Sequence, residues 1–344
     1  MSTGTQVTDL SDLRGDLITR VRDASGVTAT NNIADRYLNT ALHDIHINPG
    51  NNWPWAIRRA YLLTHAPYTT GTVSITAAAR TTVTGSSTLW DTAVTGMGFN
   101  NTRIGGKLLL GGQSEIYEVS AVGSDTSITI NPRYSGDALS GASYTYLEDE
   151  YALADDFHRP LDWRQFSEEI KIDLMGPQEF RRRWVRNSRL GSPKHATIIQ
   201  LAFSSASGTS PSYRVVLNPV PNTEMQIPYQ YITTNLAVSS AGAEQTQMTA
   251  TTDEPIIPLT YRHVLVLHAL YNWYRDRKDD ARSQEAKAEY VELVQRMSGD
   301  MFQGMRDKPK FVTNSIFPAN NRRRFNGRFV VGNGIRDSNG NFGD

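Results

Sequence analysis

The side chains best suited to chemistry are seven histidines and one dense arginine cluster, and the histidine spacing does not match a known metal site. His43 and His46 lie three residues apart on a predicted helix, with Asp44 between them. Zinc proteases instead space two histidines four apart and place a general-base glutamate next to the first. His263 and His268 are five apart, so they fall on different faces of a later helix. We interpret all four histidines as packing or interface residues.

Two glycine-containing segments match only part of a nucleotide-binding motif. Gly96 and Gly98 are not followed by the third glycine of a dinucleotide fingerprint. Gly106-Lys107 is followed by Leu108, where a phosphate-binding loop needs Ser or Thr to hold magnesium. The chain also contains no cysteine and no G-x-S-x-G nucleophile elbow. We therefore predict a protein that is not an enzyme and that binds no cofactor and no metal.

An acidic run, Glu148-Asp149-Glu150, is followed closely by Asp155 and Asp156. Carboxylate oxygens in such numbers could bind a divalent cation. A run of like charges is also typical of a solvated segment. We favour the second interpretation, a solvated junction at the end of a β region.

The densest cluster of charge lies in residues 181–189, where five arginines stand in nine positions beside a tryptophan. Arginine makes bidentate, charge-assisted hydrogen bonds to carboxylates and phosphates, so the cluster could bind DNA in a channel or an acidic partner. A solvated helix face, with Phe180 and Trp184 packed inward, explains the same pattern equally well. The arginines are Arg181, Arg182, Arg183, Arg186 and Arg189.

The elements that must position these groups include four amphipathic helices. Apolar residues recur at three- and four-residue steps over residues 7–21 and 33–45, which predicts two N-terminal helices. Two longer helices are predicted over residues 258–277 and 279–302. The segment 56–63 fits either a third short helix or a first strand. The last helix has an apolar stripe made of Tyr290, Val294, Met297 and Met301.

Composition changes sharply between residues 66 and 147. This segment contains 14 Thr, 10 Ser and 11 Gly but only 9 charged residues, and its apolar residues alternate with polar ones. Alternation between glycine-rich turns predicts a small all-β domain, either a sandwich or a barrel. Helix is predicted to return after Tyr151, including a short helix over residues 177–185. A second β segment is predicted over residues 195–234.

The chain has 344 residues with 35 basic and 35 acidic side chains, but the charges are unevenly distributed. Residues 304–344 contain eight basic and three acidic residues, so this tail is +5 and the remainder is −5. Disordered linkers rarely contain regularly spaced aromatics, which favours an arm that binds a partner. The residues predicted to make that contact are Phe311, Phe317, Arg322, Arg323, Arg324, Phe325, Arg328 and Phe329.

These patterns predict an α+β protein with a helical-bundle core, an inserted all-β domain (sandwich or barrel-like), a second small β segment and an extended C-terminal arm. The predicted boundaries are 1–65 for the N-terminal core helices, 66–147 for the insertion, 148–303 for the remaining core and 304–344 for the arm. We find no signal peptide and no apolar run long enough to cross a bilayer, which predicts a soluble protein without membrane contact.

The order of the segments, with several local patterns, resembles the head-to-tail adaptor (neck) proteins of tailed bacteriophages, most closely the longer adaptors of short-tailed phages. One pattern is the opening helix pair that leads to Trp53 and Trp55. Another is the element Val83-Thr84-Gly85-Ser86-Ser87-Thr88-Leu89-Trp90 in the β insertion. The others are residues 151–157, reading YALADDF, and residues 253–258, reading DEPIIP, before two long helices.

This resemblance implies a ring, usually of twelve copies, that sits between the portal and the tail of a virion and is assembled in the bacterial cytoplasm. It implies that the C-terminal arm binds the portal protein. It also implies contacts with a tail nozzle or tail tube, and possible contacts with tail fibres. Genomic DNA would pass through the ring without sequence-specific recognition.

Two other functions stay open from the residues alone. The arginine cluster and the basic tail fit a nucleic-acid-binding protein, whose affinity would fall steeply with salt. The Thr- and Ser-rich insertion fits a tail protein that binds glycans or a receptor. Hydrolysis is not predicted, since no pair of catalytic carboxylates accompanies an aromatic cleft pattern.

Overall fold

The computed structural model describes residues 7–22, 28–47, 52–96, 98–163, 172–200 and 213–302, with two short strands at 329–331 and 334–336. The chain divides into two compact units, 1–269 and 270–344, and the boundary falls within a helix. The helices are α1 (Leu10–Val21), α2 (Thr28–Ile47), α3 (Pro177–Arg183), α4 (His263–Asp276) and α5 (Asp280–Phe302). Short 3-10 turns lie at Pro54–Ala56 and Leu259–Tyr261.

Nineteen strands are present in the described residues and form five sheets. The first half contains β1 (Ile57–Leu63), β2 (Thr72–Ile75), β3 (Thr82–Ser86), β4 (Lys107–Leu110), β5 (Ile116–Ser124), β6 (Ser127–Asn131), β7 (Leu139–Ala142), β8 (Tyr144–Leu147), β9 (Glu150–Ala152) and β10 (Phe157–Trp163). The second half contains β11 (Asp173–Leu174), β12 (His195–Gln200), β13 (Tyr213–Asn218), β14 (Gln226–Thr233), β15 (Ala237–Val238), β16 (Glu244–Gln245), β17 (Glu254–Pro255), β18 (Phe329–Val331) and β19 (Gly334–Arg336).

The Thr-rich segment forms one curled antiparallel sheet of seven strands in the order β7-β2-β3-β6-β5-β4-β8. The two edge strands, β7 and β8, are separated by a single residue, so the sheet bends back toward itself as in a barrel. Its interior is a cluster of buried aromatic and β-branched side chains around Trp90 and Tyr146. The chain enters and leaves this sheet side by side, because Tyr68 and Tyr146 exchange backbone hydrogen bonds of 2.9 and 2.8 Å.

Two further sheets form the centre of the first unit. One is antiparallel, in the order β1-β14-β10, and the other has the order β11-β12-β13-β9 with β11 parallel to β12. A single hydrophobic cluster contains buried residues from both sheets, such as Leu62 and Tyr229 from the first and Tyr151 and Leu217 from the second. The segment 56–63, for which helix and strand were both open, is strand β1 after one 3-10 turn.

The predicted helical-bundle core is wrong, because the first unit is mostly β-sheet, although the chain is α+β overall. The apolar stripes predicted for the two N-terminal helices are buried, as Leu13 and Leu17 on α1 and Leu38 and Leu42 on α2 show. These helices pack together and against the loop before β17, where the side-chain amide of Asn39 donates to and accepts from the backbone of Met248 at 3.0 and 2.9 Å. An amphipathic stripe predicts a buried face but not the element that covers it.

Other predictions differ from the structure in detail. The chain forms β9 and β10 rather than helix directly after Tyr151, and the first helix described after these strands is α3. The short helix α3 ends two residues earlier than predicted, and the helix predicted from 258 begins as a 3-10 turn. In the second unit, only Met297 of the four stripe residues of α5 is fully buried. Strands β18 and β19 pair antiparallel, which the sequence analysis did not predict.

Within the described residues, no helix is both long enough and apolar enough to cross a bilayer.

A buried histidine joins α2 to the first central sheet. His46 lies in the last turn of α2, and its Nε2 donates to the carbonyl oxygen of Thr233 on β14 at 2.6 Å. Its ring centroid is 6.0 Å from that of His158 on β10. Burial, and then the charges of His158, Arg159 and His43, lower the pKa of His46 to about 4, although its hydrogen bond to Thr233 opposes the shift.

This histidine is expected to make the protein acid-sensitive. The unfolded chain binds a proton at His46 below about pH 6.5, whereas the folded chain binds it only below about pH 4. Folding stability is therefore fully present above about pH 6.5 and falls between about pH 6.5 and 4, by about 3 kcal/mol for this group. Urea unfolding at several pH values measures the loss. The variant His46→Gln should show a shallower pH dependence in this window, and an identical dependence would contradict the assignment.

Candidate interaction surface

The arginine cluster is presented by α3 and the loop that follows it, and aromatic side chains anchor this segment. Phe180 on α3 is buried, and its ring lies 5.0 Å from that of Trp184 in an edge-on arrangement. Trp184 in turn stacks on His195 of β12 with the ring centroids 4.9 Å apart. These contacts attach α3 and the start of the following loop to the sheet that contains β12. They also fix the direction in which the charged side chains project.

All five arginines of the cluster are exposed. Only Arg183 has an ion-pair partner among the described residues, at 2.5 Å from Glu179 one helical turn earlier. Val185, which lies between Arg183 and Arg186, and Leu190, which follows Arg189, are 81% and 43% exposed. We name this set, Arg181, Arg182, Arg183, Arg186 and Arg189 with Val185 and Leu190, the arginine surface. The two interpretations made from the sequence are compatible, since the aromatics pack inward while the arginines face solvent.

A buried asparagine holds the middle of the arginine surface in place. Asn187 donates through its side-chain amide to Asp149 at 2.8 Å and to the carbonyl oxygen of Leu217 at 2.7 Å. Its amide oxygen accepts from the side chain of Asn218 at 2.6 Å. Because Asn187 sits between Arg186 and Arg189 in sequence, these bonds fix the loop that carries both arginines.

Glu148 and Asp149 of the acidic run are buried rather than solvated, which corrects the sequence interpretation for these two residues. Glu150 and Asp156 are half-buried, and Asp155 is exposed. The side chains of Glu148 and Asp149 are 4% and 0% exposed. Asp149 forms an ion pair with Lys107 of β4. Glu148 accepts from Arg103 Nε at 2.8 Å and from the hydroxyl of Tyr146 at 2.6 Å. The two carboxylates neutralise cations from the curled sheet.

This charge network joins three parts of the first unit. Lys107 lies on β4 of the curled sheet, and Arg103 lies in the loop before β4. Asp149 lies on the connection to β9, and Asn187 lies in the loop that carries Arg186 and Arg189. Sequence reasoning did not identify Arg103, Lys107 or Asn187. The sequence did contain a signal for Arg103 and Lys107. Charged residues are rare between residues 66 and 147, and a charge that is buried in or beside a sheet needs a partner.

The arginine surface also approaches the curled sheet at Glu115. Hydrogen bonds from the hydroxyls of Tyr117 and Ser135, at 2.5 and 2.7 Å, lower the pKa of Glu115, and the nearby positive charge of Arg186 acts in the same direction. Glu115 is thus held as an anion by groups of its own sheet. Its position marks where the arginine surface borders the curled sheet.

The remaining residues considered for chemistry have structural surroundings. His268 pairs with Asp44 at 3.3 Å and His263 lies 3.5 Å from Asp16. Gly106 lies in no phosphate loop. A Cβ at this position would collide with the buried ring of Tyr146, so the glycine is needed for packing. Gly96 and Gly98 have φ of 80° and 71°, as turn glycines do.

A cavity of about 510 Å³ lies elsewhere in the first unit, beside Trp55 and Pro255. Its two arginines are engaged: Arg58 bonds Glu244 at 2.6 Å, and Arg262 bonds Glu254 at 2.9 Å and the carbonyl oxygen of Ile257 at 3.1 Å. Their bonds hold the loops in place. The arginine surface differs from this cavity, because four of its five guanidinium groups form no ion pair with a described residue.

The predicted arm contacts fall almost entirely outside the described residues. Phe329 lies in strand β18, where only the backbone is described. The arm residues outside the described ranges are Phe311, Phe317, Arg322, Arg323, Arg324, Phe325 and Arg328.

No group of three or more histidine or acidic side chains in the described residues is arranged to hold a metal ion. The sequence matches no family model, and no curated protein is significantly similar to it.

Proposed function

We propose that the chain is a non-enzymatic structural protein of a phage particle, a head-to-tail adaptor that forms a ring between the portal and the tail. The observation that carries the proposal is the arginine surface. Among the described residues, four of its five exposed guanidinium groups form no ion pair. Arg181 and Arg182 lie on α3, and Arg186 and Arg189 lie on the following loop, which the buried Asn187 holds in place. Fixed, unpaired charge beside exposed apolar side chains is typical of an interface with a partner.

The adaptor part of the proposal rests on the segment order that resembles such proteins. A helix pair opens the chain, a curled sheet enters and leaves side by side, and two helices follow the central sheets. A ring built from one chain needs two different faces on each copy, which meet head to tail and close by rotation. Many weak contacts around the ring then add up through avidity. Portal binding, the DNA channel and contacts with tail components belong to this proposal.

Sedimentation velocity and native mass spectrometry of the full-length protein test it. We expect an assembly of about twelve times the 38.3 kDa of one copy, and negative-stain images should show a ring with a central channel. Raising the salt should weaken the assembly, because exposed charges contribute to it. A species that stays at 38.3 kDa at every protein concentration and salt would overturn the ring.

The exposed arginines favour nucleic-acid binding as a second candidate function. A protein that neutralises four phosphates loses duplex affinity with a log–log salt slope of roughly −3.6. Anisotropy of a labelled duplex over a salt series measures that slope. An absence of binding at low salt would remove this candidate.

A further inference from the structure

Helix α5 carries negative charge that the described residues of its unit do not neutralise. Glu285 and Glu289 are exposed, lie one turn apart on the same side of the helix and form no ion pair with any described residue. Like charges four residues apart destabilise an isolated helix, which favours a role for the pair outside the helix. Glu292 continues the same side and shares its charge with Arg296 at 2.8 Å. We name Glu285, Glu289 and Glu292 the acidic face of α5.

The two other cations of α5, Arg282 and Lys287, contact groups other than these carboxylates. Lys287 lies with its ammonium 5.8 Å from the ring centroid of Tyr271, and Arg282 lies with its guanidinium 5.8 Å from that of Tyr274. Arg282 also approaches Asp279 at 3.6 Å. Both cations therefore contact α4 or the turn before α5. Within the part of the chain that the structure describes, the carboxylates of Glu285 and Glu289 are left as a negative stripe without a cation beside it.

The arginine surface has the complementary chemistry. It presents four guanidinium groups that pair with no described carboxylate, and guanidinium binds carboxylate in a bidentate manner. It also exposes Val185, which a phosphate backbone cannot use but which a protein surface can cover. The acidic face of α5 offers such cover, because the exposed Ala281 and Ala288 lie on the same side of the helix as Glu285.

Resting on the proposed ring, we infer that the arginine surface of one copy binds the acidic face of α5 of a second copy. Each copy then uses its arginine surface toward one neighbour and its α5 toward the other. That head-to-tail arrangement is the kind of contact that closes into a ring. A second copy is favoured over another acidic partner because both halves of the contact belong to one chain. Among the described residues, Glu285, Glu289 and four of the five arginines form no ion pair.

Charge reversal on each side tests the pairing in the full-length protein. The first variant combines Arg182→Glu with Arg186→Glu, and the second combines Glu285→Arg with Glu289→Arg. Each variant alone should lose assembly, with contacts at least about a hundred-fold weaker, because like charges then face each other. An equimolar mixture should assemble again, since alternating copies bring opposite charges together at every contact. Circular dichroism checks that both variants stay folded.

A matched control reverses two exposed arginines away from both surfaces, Arg59→Glu with Arg133→Glu, and should assemble as the wild type does. If the wild type assembles and the reversed variants do too, the pairing is wrong while the ring stands. If both variants fail and the mixture does not recover, the two surfaces do not meet each other, and the pairing is again overturned. Loss of duplex binding with unchanged assembly would make the arginine surface a nucleic-acid site. A monomeric wild type would overturn both proposals.

Discussion

Replacing Asp149 by alanine is expected to lower the free energy of unfolding by about 3–5 kcal/mol. Its carboxylate is fully buried and accepts from Lys107 and Asn187. Alanine would leave a largely buried ammonium group and a buried amide without their acceptor, and an uncompensated buried charge is among the costliest single changes. Because Asn187 also holds the arginine surface, the loop between Arg186 and Arg189 should lose protection from hydrogen exchange.

Hydrogen exchange of the amide groups in β4 and β13 provides the measurement, together with urea unfolding followed by circular dichroism. Two units need not unfold together, so residue-level protection assigns the loss to the network. Asp149→Asn keeps an oxygen that can accept and should cost less. Asp137→Ala removes an exposed carboxylate of the curled sheet and should change stability by no more than about 0.5 kcal/mol. Equal effects of Asp149→Ala and Asp137→Ala would contradict the network.

A second route tests the same network from the other direction. The double variant Lys107→Met with Asp149→Leu removes both buried charges and replaces them with apolar groups of similar volume. Such a replacement is commonly neutral or stabilising, so the double variant should recover part of the loss. That recovery would separate the cost of an unpaired charge from a general intolerance of substitution at the junction.

The periodic patterns in the sequence predicted elements better than their arrangement. Three- and four-residue steps indicated α1, α2, α4 and α5, and alternation indicated most strands of the curled sheet. The bundle failed because a buried stripe does not specify what buries it. Asn39 is an example. Its side-chain amide makes two hydrogen bonds with the backbone of Met248, which lies far away in sequence. No local spacing predicts that contact.

The acidic run was misread for a related reason. Consecutive carboxylates resemble a solvated segment unless cations from distant residues reach them. Here Arg103 and Lys107 approach from the curled sheet, and the burial of Glu148 and Asp149 depends on those pairs. The inward packing at the arginine cluster was easier to predict, because Phe180 and Trp184 flank three consecutive arginines and the aromatics alone could pack inward. Its anchor through Asn187 is again a long-range contact.

Trp90→Ala is expected to lower the free energy of unfolding of the curled sheet by about 3–5 kcal/mol. Trp90 is fully buried in the interior of that sheet, and its indole N–H donates to the hydroxyl of Tyr144 at 2.9 Å. The hydroxyl of Tyr144 in turn donates to the carbonyl oxygen of Thr70 at 2.7 Å. Removing the indole therefore leaves a large cavity and breaks a buried hydrogen bond.

The backbone before Trp90 shows how strongly its burial is favoured. Ser87 and Leu89 have φ of 57° and 51°, in the left-handed region that side chains with a Cβ rarely adopt, and Leu89 is left exposed. Thr88 between them is buried and bonds to the carbonyl oxygen of Asp125. The turn accepts this strain because it places Thr88 and Trp90 inside the sheet.

Two matched variants make the Trp90 prediction specific. Trp90→Phe keeps an aromatic ring but lacks the donor to Tyr144, so it should cost less than alanine. Leu89→Gly should be neutral or slightly stabilising, because glycine removes the strain at φ 51° and little buried area is lost. Hydrogen exchange of β3, β4 and β8 reports the stability of the sheet in each variant. If Trp90→Ala leaves that protection unchanged, the curled sheet does not depend on its central tryptophan and the packing described for it is wrong.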